Sequence, residues 1–192
     1  MLAIFLDMET TGLDQSKHHA IDIAFTIVDV STGKEILSYQ TIIKHPLEIW
    51  LMHDPVSIEV NGYTFEAISK GKEVQVVKDE IIQLFIQAGI KRGSSCFICQ
   101  NPGFDRSFFS QLVDVYTQET LNWPYHWLDL ASMYYATVHR QLILDNKPFP
   151  TEFNLSKNAI AKSFGLPEEE NRHIAMNGVN HLIACYRAVL GL

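Results

Sequence analysis

Residues 3–13 have the sequence AIFLDMETTGL, in which four apolar residues lead directly into a pair of carboxylates. A short, unbroken apolar run is typical of a central β-strand whose two faces are both covered. Because side chains alternate along a strand, Asp7 and Glu9 lie on the same side of the sheet and close together. Like charges repel at this distance unless a cation separates them, so the pair indicates a cation site. The alternative is a pair of carboxylates that simply begins a solvated loop.

Strand and helix patterns alternate along the chain and predict an α/β fold. Strands are predicted over Ala3–Leu6, Ala20–Val30, Glu35–Ile43, Cys96–Cys99 and His126–Leu128. Helices are predicted over Glu73–Gln87, from Phe104 or Asp105 onward, and over Leu130–Leu144, Leu155–Phe164 and Ala175–Leu190. Residues 44–72 are expected to be irregular, because prolines and an Asn-Gly pair interrupt them. This order predicts a mixed five-stranded sheet flanked by helices, in one domain over residues 1–192.

Composition excludes some classes of protein. No stretch approaches the ~20 apolar residues of a membrane span, so no membrane association is expected. The net charge of −7 argues against a protein that coats long nucleic acid through a basic face. This net charge is compatible with an enzyme that binds only a few terminal nucleotides. Cys96 and Cys99 point to opposite sides of one strand and cannot easily pair, which favours reduced thiols and a cytoplasmic location.

Three motifs resemble those of the DEDD superfamily of 3′–5′ exonucleases. Asp7-Met8-Glu9-Thr10-Thr11-Gly12-Leu13 is similar to the first motif of its proofreading members, Asp-x-Glu-Thr-Thr-Gly-Leu. Residues 101–105, Asn-Pro-Gly-Phe-Asp, match the second motif, Asn-x-x-Phe-Asp, although Asp105 alone would also suit a helix N-cap. His173-Ile174-Ala175 begins the motif His-x-Ala-x-x-Asp of the histidine branch. By this resemblance the chain is expected to have a ribonuclease H-like fold.

The third motif departs from the family pattern at its last position. Gly178 stands where the histidine branch has its fourth acid. An amide oxygen can bind Mg²⁺ or Mn²⁺ but brings no charge, and helix geometry favours Asn177 over Asn180 as the substitute. The expected consequences are a slower enzyme, a stronger need for Mn²⁺, or no catalysis.

The resemblance implies a site and a mechanism. It assigns two ions of Mg²⁺ or Mn²⁺ to Asp7, Glu9 and Asp105, with Asn177 or water in place of the fourth acid, and it makes His173 the acceptor of a proton from the attacking water. The product would be a nucleoside 5′-monophosphate. The residues implied in substrate binding are Met8, Thr10, Gly12, Leu13, Asn101 and Phe104.

Three functions are compatible with these motifs. The first is an exonuclease that acts on single-stranded or frayed 3′ ends, with DNA slightly favoured. The second is an RNA exonuclease of the oligoribonuclease or ribonuclease T kind. The third is a catalytically inactive relative that binds nucleic-acid ends, which the loss of the acid at Gly178 favours. The acidic run Glu168–Glu170 is interpreted as an exposed charged turn.

Overall fold

A five-stranded mixed sheet forms the centre of the protein, as the sequence predicted. The computed structural model describes residues 1–169 and 173–191. The strands are β1 (Leu2–Thr10), β2 (Ala20–Asp29), β3 (Lys34–Ile42), β4 (Ser95–Cys99) and β5 (Trp127–Asp129). Their order across the sheet is β3-β2-β1-β4-β5. The central strand β1 pairs antiparallel with β2 and parallel with β4, so its backbone is hydrogen-bonded on both sides.

The helices within the described residues flank this sheet. They are α1 (Leu47–Trp50), α2 (Pro55–Asn61), α3 (Phe65–Ser69), α4 (Val74–Ala88), α5 (Pro102–Leu112), α6 (Val115–Thr120), α7 (Leu130–Leu144), α8 (Lys157–Ser163) and α9 (Ala175–Leu190). The prediction of an irregular segment over residues 44–72 was wrong, because α1, α2 and α3 lie there. Pro55 begins α2, since a proline is well tolerated in the first helical turn.

Most predicted boundaries shift by one or two residues, and the first strand ends at Thr10, four residues later than predicted, so that Asp7 and Glu9 lie within it. The fifth strand begins at Trp127, one residue later than predicted. Helix α8 begins after Ser156, whose hydroxyl accepts a hydrogen bond from the Ala159 N–H. Helix α5 already begins at Pro102, so the residues predicted as a turn form its first turn. Asp105 is therefore not the N-cap of this helix.

The two faces of β1 belong to two different cores. Ile4, Leu6 and Met8 pack on the face that α4 and α5 cover. Ala3 and Phe5 pack on the opposite face, together with buried residues of α7, α8 and α9. Because side chains alternate, the two carboxylates that continue this second series also point toward the α9 side. The fold thus places the acidic pair at the end of a fully covered strand, beneath the start of α9.

Two expectations from the sequence concern the cysteines and membrane-spanning helices. Cys96, Cys99 and Cys185 are all buried free thiols, and Cys96 and Cys99 pack in the cores on opposite faces of β4, as their spacing predicted. In residues 1–169 and 173–191, no helix is both long and apolar enough to cross a membrane.

An aromatic cluster supports the core between the sheet and α4. The ring of Phe85 is fully buried, with its centroid 5.1 Å from that of Phe25 and 4.7 Å from that of Trp123. Phe85→Ala is expected to lower the free energy of unfolding by about 3–5 kcal/mol, because it leaves a cavity. Ile86→Ala, at the 57 % exposed neighbour, is the control and should cost less than about 1 kcal/mol. Equal losses in urea unfolding would contradict this account of the core.

Candidate active site

A cleft of about 360 Å³ lies at the carboxyl ends of β1 and β4. Asp7 and Glu9 reach it from β1, Asp105 from the first turns of α5, and His173 from the segment before α9. The other residues that line it are Met8, Gln100, Phe104, Ser156, Lys157, Asn158 and Glu169. The structure therefore brings the four residues predicted as catalytic to one cleft. Their catalytic role stays a prediction.

Burial is the largest cause that raises the pKa of each of the three motif carboxylates, although 18 % of the Asp7 side chain is exposed. Burial, followed by the charge of Asp7, raises the pKa of Glu9 to about 8. Burial also raises the pKa of Asp7 to about 6, although the ammonium of Lys157 opposes the shift. Asp105 is 4 % exposed, and burial together with the charge of Asp7 holds its pKa well above the ordinary value. Holding these carboxylates in one buried site costs free energy, and a positively charged partner would reduce that cost.

Lys157 provides a positive charge that the sequence analysis did not find. Its Nζ lies 3.6 Å from Asp7 Oδ1 and 2.9 Å from Glu169 Oε2, and only 11 % of its side chain is exposed. Burial alone would lower the pKa of Lys157, but the charges of Asp7 and Glu169 raise it above the ordinary value. Lys157 is therefore a charged ammonium inside the cleft. No pattern in the sequence distinguishes this lysine from a surface lysine.

The predicted exposed turn at Glu168–Glu170 was wrong for its middle residue. Glu168 is exposed, but the Glu169 side chain is only 5 % exposed, and its backbone N–H donates to Asn158 Oδ1 at 2.9 Å. Glu170 lies outside the described residues. Because an acidic run is usually exposed to solvent, the sequence alone did not identify Glu169 as a buried residue.

Gly178 leaves room for the Asp7 side chain. A Cβ added at Gly178 would overlap the carboxylate of Asp7, so in this arrangement only glycine fits there. Asn177 lies in the first turn of α9 but is not among the residues that line the cleft, and its role as a metal ligand stays a prediction. Across residues 1–169 and 173–191, no three His, Cys, Asp or Glu side chains stand ready to hold a metal ion.

Asp22 holds the start of α9 in place and was also missed. It is fully buried in β2, directly opposite Glu9 in the pairing of the two strands. Its Oδ2 accepts hydrogen bonds from the Tyr63 hydroxyl (2.6 Å), the Gln40 amide (3.0 Å) and the Ala175 backbone N–H (3.0 Å). Asp22 thus ties the first residue of α9 to the sheet. An acid within an apolar strand is the signal that would have identified it.

Four of the six predicted substrate-binding residues line a second, adjacent cavity of about 220 Å³. Met8, Thr10, Leu13 and Phe104 line it, and Met8 and Phe104 also line the cleft. Leu13 is 73 % exposed, whereas the Met8 side chain packs in the core on the other face of β1. Leu13 and Phe104 are therefore the side chains free to meet a ligand, and Met8 has mainly its backbone to offer.

Gly12 and Asn101 are the two predicted substrate-binding residues that line neither the cleft nor the adjacent cavity. A Cβ at Gly12 would overlap the His18 ring, and the Thr10 hydroxyl donates to the Gly12 carbonyl at 2.8 Å. Asn101 has a left-handed backbone conformation with a φ of 58° and is exposed just before α5. It lines neither cavity, whereas Gln100, which the sequence analysis did not consider, lines the cleft.

Buried polar atoms without hydrogen-bond partners concentrate around the cleft. Within the described residues they are Asp22 Oδ1, Gln100 Oε1, Glu169 Oε1 and His181 Nδ1. Each such atom costs about 1–3 kcal/mol when it is left without a partner. Gln100 and Glu169 line the cleft itself, and His181 Nδ1 lies 3.8 Å from Glu169 Oε2. This concentration is typical of a site built for a ligand rather than for stability.

Comparison with known proteins assigns the family. Residues 4–184 match the model of the RNase T exonuclease family, which covers most of the chain. The protein belongs to this exonuclease family. No protein with a curated description matches the chain in sequence.

Solved structures share the fold at low sequence identity. A zinc-bound E. coli exonuclease I in complex with single-stranded DNA has a TM-score of 0.74 and 20 % identity over 99 % of this chain. Exonuclease I of Methylocaldum szegediense gives 0.74 and 19 % over 99 % of this chain. Cell-death related nuclease 4 gives 0.71 and 15 % over 99 %. The matches cover 40 % of each exonuclease I chain and 64 % of the nuclease 4 chain, so this protein spans about two fifths of exonuclease I.

The raised pKa of Glu9 predicts a pH-dependent effect of Glu9→Gln on stability. Below about pH 4.5 the carboxyl is protonated in both folded and unfolded chains, so the substitution changes little. Between pH 4.5 and 8 the unfolded state loses this proton first, so the wild type loses stability as the pH rises. The neutral Gln avoids this loss. In EDTA at pH 8.5, Glu9→Gln is expected to raise the free energy of unfolding by about 2 kcal/mol or more in urea titrations.

Glu152→Gln removes an exposed carboxylate and serves as the control for this experiment. It should leave the stability within about 0.5 kcal/mol of the wild type at both pH values. A Glu9→Gln protein that is equally destabilised at pH 4.5 and 8.5 would show that Glu9 is not strained.

The role of Asp22 predicts a local effect of Tyr63→Phe. This change removes the hydroxyl that donates to Asp22, and we expect a loss of about 1–3 kcal/mol in stability. Tyr39→Phe removes a hydroxyl that donates to Glu80 at 2.6 Å and is the matched control. Hydrogen exchange at the Ala175 amide should become faster in Tyr63→Phe only. Equal exchange in both variants would show that Asp22 does not hold the start of α9.

Proposed function

We propose that this protein is a divalent-metal-dependent 3′–5′ exonuclease. It would release nucleoside 5′-monophosphates from single-stranded or frayed 3′ ends, with DNA favoured over RNA. The observation that carries the proposal is the placement of Asp7, Glu9, Asp105 and His173 around one cleft in a chain of the exonuclease family. The proposal treats residues 1–192 as one domain located in the cytoplasm.

The chemistry of the donors fits Mg²⁺ or Mn²⁺. Asp7, Glu9 and Asp105 are hard oxygen ligands, and their pKa values are raised mainly because burial disfavours the charged carboxylates. With Asn177 they would form the ligand set implied by the family resemblance, which uses two ions. A bound divalent ion would supply positive charge to the phosphate and a water that loses its proton more easily.

The residues of the chain itself would position the substrate and move the proton. His173 is half-buried at the cleft, where its imidazole can accept a proton from a water that attacks the phosphate. The apolar side chains of Leu13 and Phe104 border the adjacent cavity and offer contact to the terminal base. The backbone of Met8 and of the Thr10–Gly12 bend would face the sugar of the terminal nucleotide. Asn101 would contact the substrate at the edge of the cleft.

The proposed preference for DNA over RNA has two supports. It rests on the first motif and on the fold shared with an exonuclease I–single-stranded DNA complex. An RNA exonuclease of the oligoribonuclease or ribonuclease T kind would use the same cleft. Contact with a 2′-hydroxyl decides between them, and substrate comparison is its direct test.

A second candidate function is the binding of nucleic-acid ends without cleavage. Two observations favour it: Gly178 in place of an acid, and the Lys157 ammonium next to Asp7. Both reduce the negative charge available to a metal ion. Against it stands the retention of buried carboxylates that destabilise the fold and that a non-catalytic binder does not need.

The proposal predicts metal-dependent shortening of 5′-labelled single-stranded DNA and RNA from their 3′ ends. Nucleoside 5′-monophosphates should appear with Mg²⁺ or Mn²⁺ and disappear in EDTA. Asp7→Asn, Glu9→Gln, Asp105→Asn and His173→Ala are each expected to lower the rate by about 100-fold or more, because each removes a ligand or the proton acceptor. Denaturing gels and chromatography of the products provide the measurement.

Asp79→Asn makes the same chemical change at an exposed position of α4 and should leave the rate unchanged. A faster reaction on RNA would replace the DNA preference with the RNA alternative. Binding of 3′ ends without shortening under any metal would overturn the exonuclease proposal and support the end-binding function.

A further inference from the structure

The Lys157 ammonium is fixed by three oxygens from three parts of the chain. Its Nζ lies 2.9 Å from Glu169 Oε2, 3.4 Å from the Gly178 carbonyl oxygen and 3.6 Å from Asp7 Oδ1. Its side chain is 11 % exposed and that of Glu169 is 5 % exposed. A lysine on the protein surface would not be held in this way, so its charge is a permanent part of the cleft.

The position of the Asp7 carboxylate beside this ammonium depends on Gly178. A Cβ at position 178 would overlap the Asp7 carboxylate, which lies against the α9 backbone there. Lys157 contacts the carbonyl of that same glycine. The fourth acid of the family motif and the present position of the Asp7 carboxylate therefore exclude each other.

The remaining carboxylates of the cleft have no such partner. In the described part of the chain, no Lys or Arg forms an ion pair with Glu9 or Asp105. Oε1 of Glu169 is also buried without a hydrogen-bond partner among these residues. Within the described residues, Lys157 thus forms ion pairs with Asp7 and Glu169, whereas Glu9 and Asp105 form none.

We propose that the Lys157 ammonium takes the place of one of the two divalent ions expected for this family, so that the cleft binds a single divalent ion. The inference deepens the proposed function and rests on it. Glu169 holds the ammonium beside Asp7. Asp7 would therefore contact both the ammonium and the single ion, which Glu9 and Asp105 would also hold. A second ion would have to lie beside a fixed positive charge and lacks the carboxylate that Gly178 has removed.

Counting bound Mn²⁺ tests the inference without relying on activity. Calorimetric titration and electron paramagnetic resonance of free Mn²⁺ give the number of ions per chain, with and without thymidine 5′-monophosphate as a product. The wild type is expected to bind one ion under both conditions. Lys157→Met leaves Asp7 and Glu169 side by side without a cation and is expected to bind two.

Lys162→Met removes an exposed lysine of the same helix and should still bind one ion. Circular dichroism shows whether each variant folds, and a count of two ions on the wild type would overturn the inference even if Lys157→Met does not fold. Two ions on the wild type, or one on a folded Lys157→Met, would overturn the inference and leave the exonuclease proposal intact. One bound ion without any cleavage would overturn the exonuclease proposal alone. No bound ion would overturn both.

Discussion

The burial of neighbouring carboxylates at the end of β1 is the constraint to which the rest of the structure responds. Burial and neighbouring charge raise the pKa of Asp7 to about 6 and that of Glu9 to about 8. A fold gains no stability from such a cluster, and acids in this state are found mainly where a cation or a reaction uses them. The cluster is therefore the strongest physical sign of function in this chain.

The fold holds this unfavourable cluster by surrounding it with rigid elements. Strand β1 pairs with β4 over Leu2–Phe5 and with β2 along its whole length, so the segment that carries Asp7 and Glu9 is fixed in the sheet. Helix α5 follows β4 within three residues and carries Asp105 into the cleft. Asp22 then fixes the first residue of α9 through the Ala175 N–H. Each acid is held by secondary structure whose stability comes from the apolar cores.

Local patterns predicted the sheet, the longer helices and the motif residues, because alternation and helical periodicity are local properties. The short helices α1 and α2 were missed because the same prolines that interrupt a strand are also accepted at a helix start. Lys157 and Glu169 could not be predicted, since their meaning depends on contacts between distant segments. The sequence showed the acids of the site but not the charge that accompanies them.

Gly178 has a different meaning in the structure than in the sequence. In the sequence it is only the absence of an acid. In the structure it is the space that lets the Asp7 carboxylate lie against α9, beside the carbonyl that Lys157 contacts. An aspartate restored at this position would overlap the Asp7 carboxylate and force it to move. The glycine at 178 and the lysine at 157 both contribute to the present position and charge of Asp7, and the chemistry of the cleft depends on both.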